Sequence, residues 1–101
     1  MKQFLIKYRR TNGSTEDWHR EIGTFISAID ADPALKGKIG YRCMKARDGA
    51  DYFHIATVHE DSGQSALQSR DFFKHYTAQT RRISGGTVEV TPLETVAQTA
   101  D

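Results

Sequence analysis

From Phe4 to Arg9 apolar and polar residues alternate: Phe4, Ile6 and Tyr8 fall on one side of an extended chain, Leu5, Lys7 and Arg9 on the other. This period of two predicts a first strand. Asn12, Gly13 and Ser14 punctuate it, and Ser14 or Thr15 can accept a backbone N–H at a helix start, where Glu16 and Asp17 suit the helix dipole. Trp18, Ile22, Phe25, Ile26 and Ile29 then recur as one helical stripe, which must end before Pro33 because the residue preceding proline is pushed out of the helical region. Residues 38–47 (KIGYRCMKAR) and 52–59 (YFHIATVH) are β-rich runs around Asp48-Gly49, a hairpin signal that makes them antiparallel neighbours. A second helix is predicted over 62–83, where Ala66, Ser69, Phe73, Tyr76, Thr80 and Ile83 recur every three or four residues, with Phe72 at the margin. Gly85-Gly86 ends it, and TVEVTPLETV supplies a last strand that Pro92 interrupts or bends. The tail 95–101 shows no period.

The order β-α-β-β-α-β predicts an α+β, ferredoxin-like fold: a four-stranded antiparallel sheet with two helices on one face, in a single domain over 1–101. Either Phe4, Ile6 and Tyr8 or Leu5 and its neighbours must lie on the other face, for which the chain has no third layer, so a homodimer is expected to cover it. Composition narrows the partners. With 14 Lys plus Arg against 13 Asp plus Glu, the net charge of +1 gives no electrostatic case for nucleic acid or an anionic membrane. No apolar run approaches the roughly 20 residues of a membrane span, and the charged start MKQFLIKYRR is unlike a signal peptide, so a cytoplasmic protein is expected. Cys43, the one cysteine, has no internal disulfide partner, and no metal-ligand spacing is present.

On this element order, with Val58-His59-Glu60-Asp61 at the third strand's end and Ser69-Arg70-Asp71-Phe72-Phe73-Lys74-His75-Tyr76 on the second helix, the sequence resembles the dimeric α+β barrel superfamily, and most of all its antibiotic-biosynthesis monooxygenase group. The resemblance implies a pocket between sheet and second helix that oxygenates small phenols or quinols without metal, flavin or haem, the substrate itself supplying electrons to dioxygen. It equally admits non-enzymatic, ligand-binding or stress-response members. Haem-degrading relatives carry an Asn on the first strand, a Trp at the end of the third and a His on the second helix. This chain has no Asn on its first strand, His59 where the Trp would be, and Thr77 rather than His75 nearest the ligand position.

Weighed by chemistry, His59 stands first: at the end of the third strand, a neutral imidazole could take a phenolic proton near pH 7, the plain alternative being a solvated strand-end residue. A two-residue turn at Asp48-Gly49 pairs Cys43 with His54 and sets Arg42 beside Ile55 and Thr57, on the face of His59. Arg42 is the candidate for an anionic ligand oxygen, or else a stem covering apolar neighbours. His54, an odd number of residues from His59, points to the opposite face, and the Cys43–His54 pair reads more simply as structure than as a thiol with its base. Trp18, Tyr41, Tyr76 and Phe73 are expected to shape an aromatic-binding pocket, with core packing as the plain alternative. Tyr52 shares that chemistry. His75 lies about 120° from the second helix's stripe and should face water; His19 is a boundary residue. Arg70, Lys74 and Arg81 form a basic strip that reads as solvated surface.

Overall fold

The elements follow the order expected, with one break. A computed structural model describes residues 1–100; Asp101, the end of the tail, lies outside the described residues. Strands β1 (Lys2–Arg9), β2 (Ile39–Lys45), β3 (Asp51–Val58) and β4 (Glu89–Leu93) form one antiparallel sheet in the order β2-β3-β1-β4. Helix α1 (Thr15–Ala31) follows β1; α2 (Asp61–Ser69) and α3 (Asp71–Ile83) follow β3. Ser14 caps α1, its hydroxyl accepting from the Asp17 N–H at 3.1 Å. The hairpin register is the one the Asp48-Gly49 turn requires, with Cys43 opposite His54 and Arg42 opposite Ile55. Gly49 takes a φ of +91°, and Lys45 Nζ donates to the carbonyls of Ala46 and Gly49 at 2.6 and 3.2 Å, closing the loop.

Two expectations are corrected. The predicted helix over 62–83 is two helices: Arg70 is extended (φ −78°, ψ 137°), ending α2 and starting α3. Out of the helix, its guanidinium grips Asp32 at the end of α1 through Nε–Oδ2 at 2.7 Å and Nη2–Oδ1 at 3.4 Å, holding that carboxyl below its usual range. The break changes the phase of the stripe, so Gly63 and Leu67 are buried in α2 while Ser69 is exposed. Pro92 does not interrupt β4 either. It sits in register opposite Phe4 on an edge strand, whose outer N–H positions have no ladder partner to lose.

The alternation of β1 resolves in favour of Tyr8, 2% exposed, facing the helices. Tyr8, Tyr52 and Ile39 from the sheet pack against Trp18, Phe25 and Ile29 of α1 and Tyr76 and Ile83 of α3. The opposite face carries Leu5, Ile55 and Arg42 in one cross-strand row and Lys7, Phe53 and Met44 in the next, and no element of the chain lies over them.

Candidate functional site

Period-two alternation along β3 turns Tyr52, His54, Ala56 and Val58 towards the helices, all buried. Three of the four are ordinary for a core. His54, 1% exposed, is not, because a buried imidazole must find partners for both nitrogens. It lies between two phenols, Nε2 at 3.1 Å from the Tyr8 hydroxyl and Nδ1 at 3.3 Å from the Tyr76 hydroxyl. Burial pulls its pKa from 6.5 down to about 4, so the ring is neutral at pH 7.

The direction of the chain follows from donor counting. Trp18 Nε1, which can only donate, gives its proton to the Tyr8 oxygen at 2.9 Å. With the Tyr8 hydroxyl donating to His54 Nε2, the imidazole proton sits on Nδ1, directed at Tyr76. In that arrangement the Tyr76 hydroxyl has its own proton to give, to the Tyr8 oxygen, to the neighbouring Cys43 sulfur, a weak acceptor, or outward. Aromatic stacking fixes the rings: Tyr8 on Tyr52 at 5.0 Å and 5°, Tyr76 between Phe25 at 3.9 Å and Trp18 at 5.7 Å. Burial raises the pKa of Tyr8, Tyr41 and Tyr76 far enough to keep all three phenols protonated.

What lies outward of Tyr76 is a cavity of about 330 Å³ between the sheet and the α2–α3 pair. Its inner wall is His54, Tyr76, Tyr41 and Thr80; its sides are Phe4 and Ile6 from β1, Val88 just before β4, Val90 within it, and Leu67 and Phe73 from the helices. Thr57, Gln64, Gln68, Thr77 and Arg81 are its remaining polar residues. The volume is at the small end of ligand sites, and the walls are mostly apolar with a few convergent polar atoms.

Of the residues singled out from the sequence, Tyr41, Tyr76 and Phe73 line this cavity. Trp18 does not; it is 3% exposed and acts from behind, stacking on Tyr76 and donating to Tyr8. His59 and Arg42 are elsewhere. Both border a second hollow, on the outer face of the sheet, with Gln3, Gly40, Tyr41, Met44 and Thr57, and the His59 ring lies over Gly40, where a Cβ would come within 3.8 Å of Nε2. Tyr41 borders both hollows, but the structure does not bring His59 and Arg42 together with Tyr76, Phe73 or Trp18. The residue that sequence reasoning passed over is His54. Its signal was parity, since it shares the inward face with Tyr52, Ala56 and Val58, but nothing local showed that two phenols from β1 and α3 would converge on it.

The remaining candidates have structural duties. Burial pushes the Cys43 thiol up to about 11 and both His54 nitrogens are engaged, so the pair is no nucleophile with its base. His75 faces solvent and meets Glu21 at 2.7 Å, tying α3 to α1; His19 meets the Tyr52 hydroxyl at 2.9 Å at the core boundary. Among the described residues, no three His, Cys, Asp or Glu side chains are grouped to hold a metal ion, and no helix is long and apolar enough to cross a membrane.

Sheet order and helix placement together define the fold of antibiotic biosynthesis monooxygenase-like proteins. The chain is similar to a variant of SnoaB, a cofactor-independent oxygenase from Streptomyces nogalater, with a TM-score of 0.75 and 16% identity over 99% of this chain and 97% of that one. An antibiotic biosynthesis monooxygenase matches with a TM-score of 0.76 at 7% identity, over 96% of this chain and all of the other. Rv0793 from Mycobacterium tuberculosis matches at 0.74 and 12%, over 98% of both chains. No protein-family model matches the sequence, and no curated protein does. At these identities the likeness is one of fold.

Proposed function

We propose that this protein is an oxygenase of a small aromatic, quinol-like compound, which binds in the cavity with its reactive oxygen against Tyr76, and that it works as a homodimer without metal, flavin or haem. The observation that carries the reading is the neutral His54 fixed between Tyr8 and Tyr76, with both His54 and Tyr76 among the residues that line an apolar cavity. The fold, shared with a cofactor-independent oxygenase, supports it.

The chemistry asked of the chain is modest. A ring compound with a methylene or C–H activated by a ring oxygen loses a proton to give a delocalised anion, and that anion reduces dioxygen. In the methylene case two C–H bonds are replaced by C=O, one oxygen atom enters the product and the other leaves as water. The Tyr76 O–H, aimed by the His54 Nδ1 proton behind it, donates to the ring oxyanion and stabilises the charge as it develops. Apolar walls exclude water from the reacting anion and strengthen that hydrogen bond. His54 is a poor base at a pKa of about 4, so its part is to hold Tyr76 and the proton departs to water through the opening. His59 and Arg42, expected from the sequence to accept the proton and hold the oxyanion, are assigned instead to the sheet face that a second copy covers.

The test is dioxygen uptake by the purified protein with anthrone and 1,4-dihydroxynaphthalene, corrected for spontaneous oxidation, with ¹⁸O₂ used to follow one oxygen atom into the anthrone product. Saturable, protein-dependent uptake is expected. Uptake equal to that in buffer, from a protein that nevertheless binds these compounds, would overturn the oxygenase reading in favour of a non-enzymatic ligand-binding protein.

A further inference from the structure

The cavity is lined by one formally charged side chain at neutral pH, Arg81, and by no carboxylate. Arg81 and Arg82 both lie in the last turn of α3, where a cation suits the helix dipole. Their environments differ. Arg82 is tied down, its Nε and Nη2 donating to Gln79 Oε1 at 2.9 and 2.7 Å, and it borders a separate hollow beside α1. The Arg81 guanidinium has no hydrogen bond or ion pair with any described residue, and it borders the cavity. The dipole explains a positive charge at this helix end but not an unpaired guanidinium beside apolar walls.

Position along α3 relates Arg81 to the inner end of the site. Five residues separate it from Tyr76, a rise of about 7.5 Å, which is the scale of a two-ring aromatic system. Around the helix, Phe73, Thr77 and Thr80 fall between the two, so Tyr76 and Arg81 are the flanks of one cavity-facing arc. Tyr76 is 5% exposed and belongs to the inner end; Arg81 is exposed and belongs to the opening, with Gln68.

We propose that the cavity selects an aromatic acid: a flat ring system with an oxygen at its inner end, against Tyr76, and a carboxylate at its outer end, against Arg81. The planar fork of the guanidinium suits a carboxylate, and with apolar walls on one side the pair is less screened than one on an open surface. The proposal rests on the cavity being the ligand site, but it does not require that the ligand be oxygenated.

Two fluorescent probes separate these points. 6-Hydroxy-2-naphthoate carries a hydroxyl and a carboxylate at opposite ends of two fused rings; 2-naphthol lacks the carboxylate. Titrated into the protein at pH 7.5, the acid is expected to bind at least fivefold more tightly than 2-naphthol. Arg81→Gln should abolish that preference while leaving 2-naphthol affinity within twofold, and Arg82→Gln should keep the preference. Equal binding of the two probes, or a preference that survives Arg81→Gln, would overturn the selection of an acid and leave the cavity intact as a ligand site. If neither probe binds at millimolar concentration, the cavity reading falls with it.

Discussion

A histidine with one per cent of its surface exposed tests its environment at every pH. The folded protein refuses a proton on His54 until about pH 4, whereas the unfolded chain takes one near 6.5. Between those values the unfolded state binds more protons, so stability rises with pH across the window and is flat with respect to this group above it. Shifts of this size correspond to about 3 kcal/mol. Urea midpoints measured at pH 7 and pH 4.5 should differ accordingly, and the difference should shrink in His54→Gln. Tyr76→Phe makes a different demand: it removes the hydroxyl that meets His54 Nδ1, lowering turnover of a verified substrate by about a hundred- to a thousandfold, as loss of an oxyanion donor does, and lowering the melting temperature by several degrees because a buried ring nitrogen loses its partner. The inward direction of His54 was legible, because β alternation assigns it to the face of Tyr52. Its partners were not, since Tyr8 and Tyr76 are 46 and 22 residues away along the chain and meet it only through tertiary packing.

Elements were read well where a turn or a cap carries a local cause. Ser14, Asp48-Gly49 and Gly85-Gly86 each act within a few residues, and each does in the structure what its side chain or its freedom at positive φ allows. The break at Arg70 has no such cause. What accompanies it is a long-range contact, from the extended Arg70 to the carboxylate of Asp32, 38 residues earlier. The same break orients α2 so that Gly63 touches the loop before β2, where a Cβ would come within 2.6 Å of the Lys38 Cβ. No flexible side-chain end is available there to yield. Gly63→Ala should therefore force α2 outward, costing about 1–3 kcal/mol and several degrees of melting temperature, measured by calorimetry. Because Leu67, Gln64 and Gln68 of α2 line the cavity, probe binding should weaken in the same variant.

At the scale of the whole molecule, the sheet is covered once. Leu5, Phe53 and Ile55 remain partly exposed in the middle of the opposite face, with Met44 42% and Leu93 40% exposed at its edges. A second copy placed over this face would bury them together with His59 and Arg42, and the alternation of β1 already required one apolar set to lie there. At micromolar concentration the unaltered protein should sediment as a dimer, and Ile55→Glu, at the centre of the patch, should give a monomer. The face itself was legible in the sequence up to a choice of two, and the burial of Tyr8 against the helices settles it. The division of the candidate residues was not: the sequence put His59 and Arg42 in one pocket with Tyr76 and Phe73, whereas the structure places the two pairs at different hollows, because the sequence does not show on which side of the sheet a cavity will form. The most direct test of where the ligand sits is the ¹⁵N spectrum of the four histidine rings during titration with 1-naphthol at pH 7. The account predicts a neutral His54 protonated on Nδ1, whose signals move on binding while those of His59 stay. Movement of His59 with His54 unchanged would place the ligand on the other face of the sheet and contradict it.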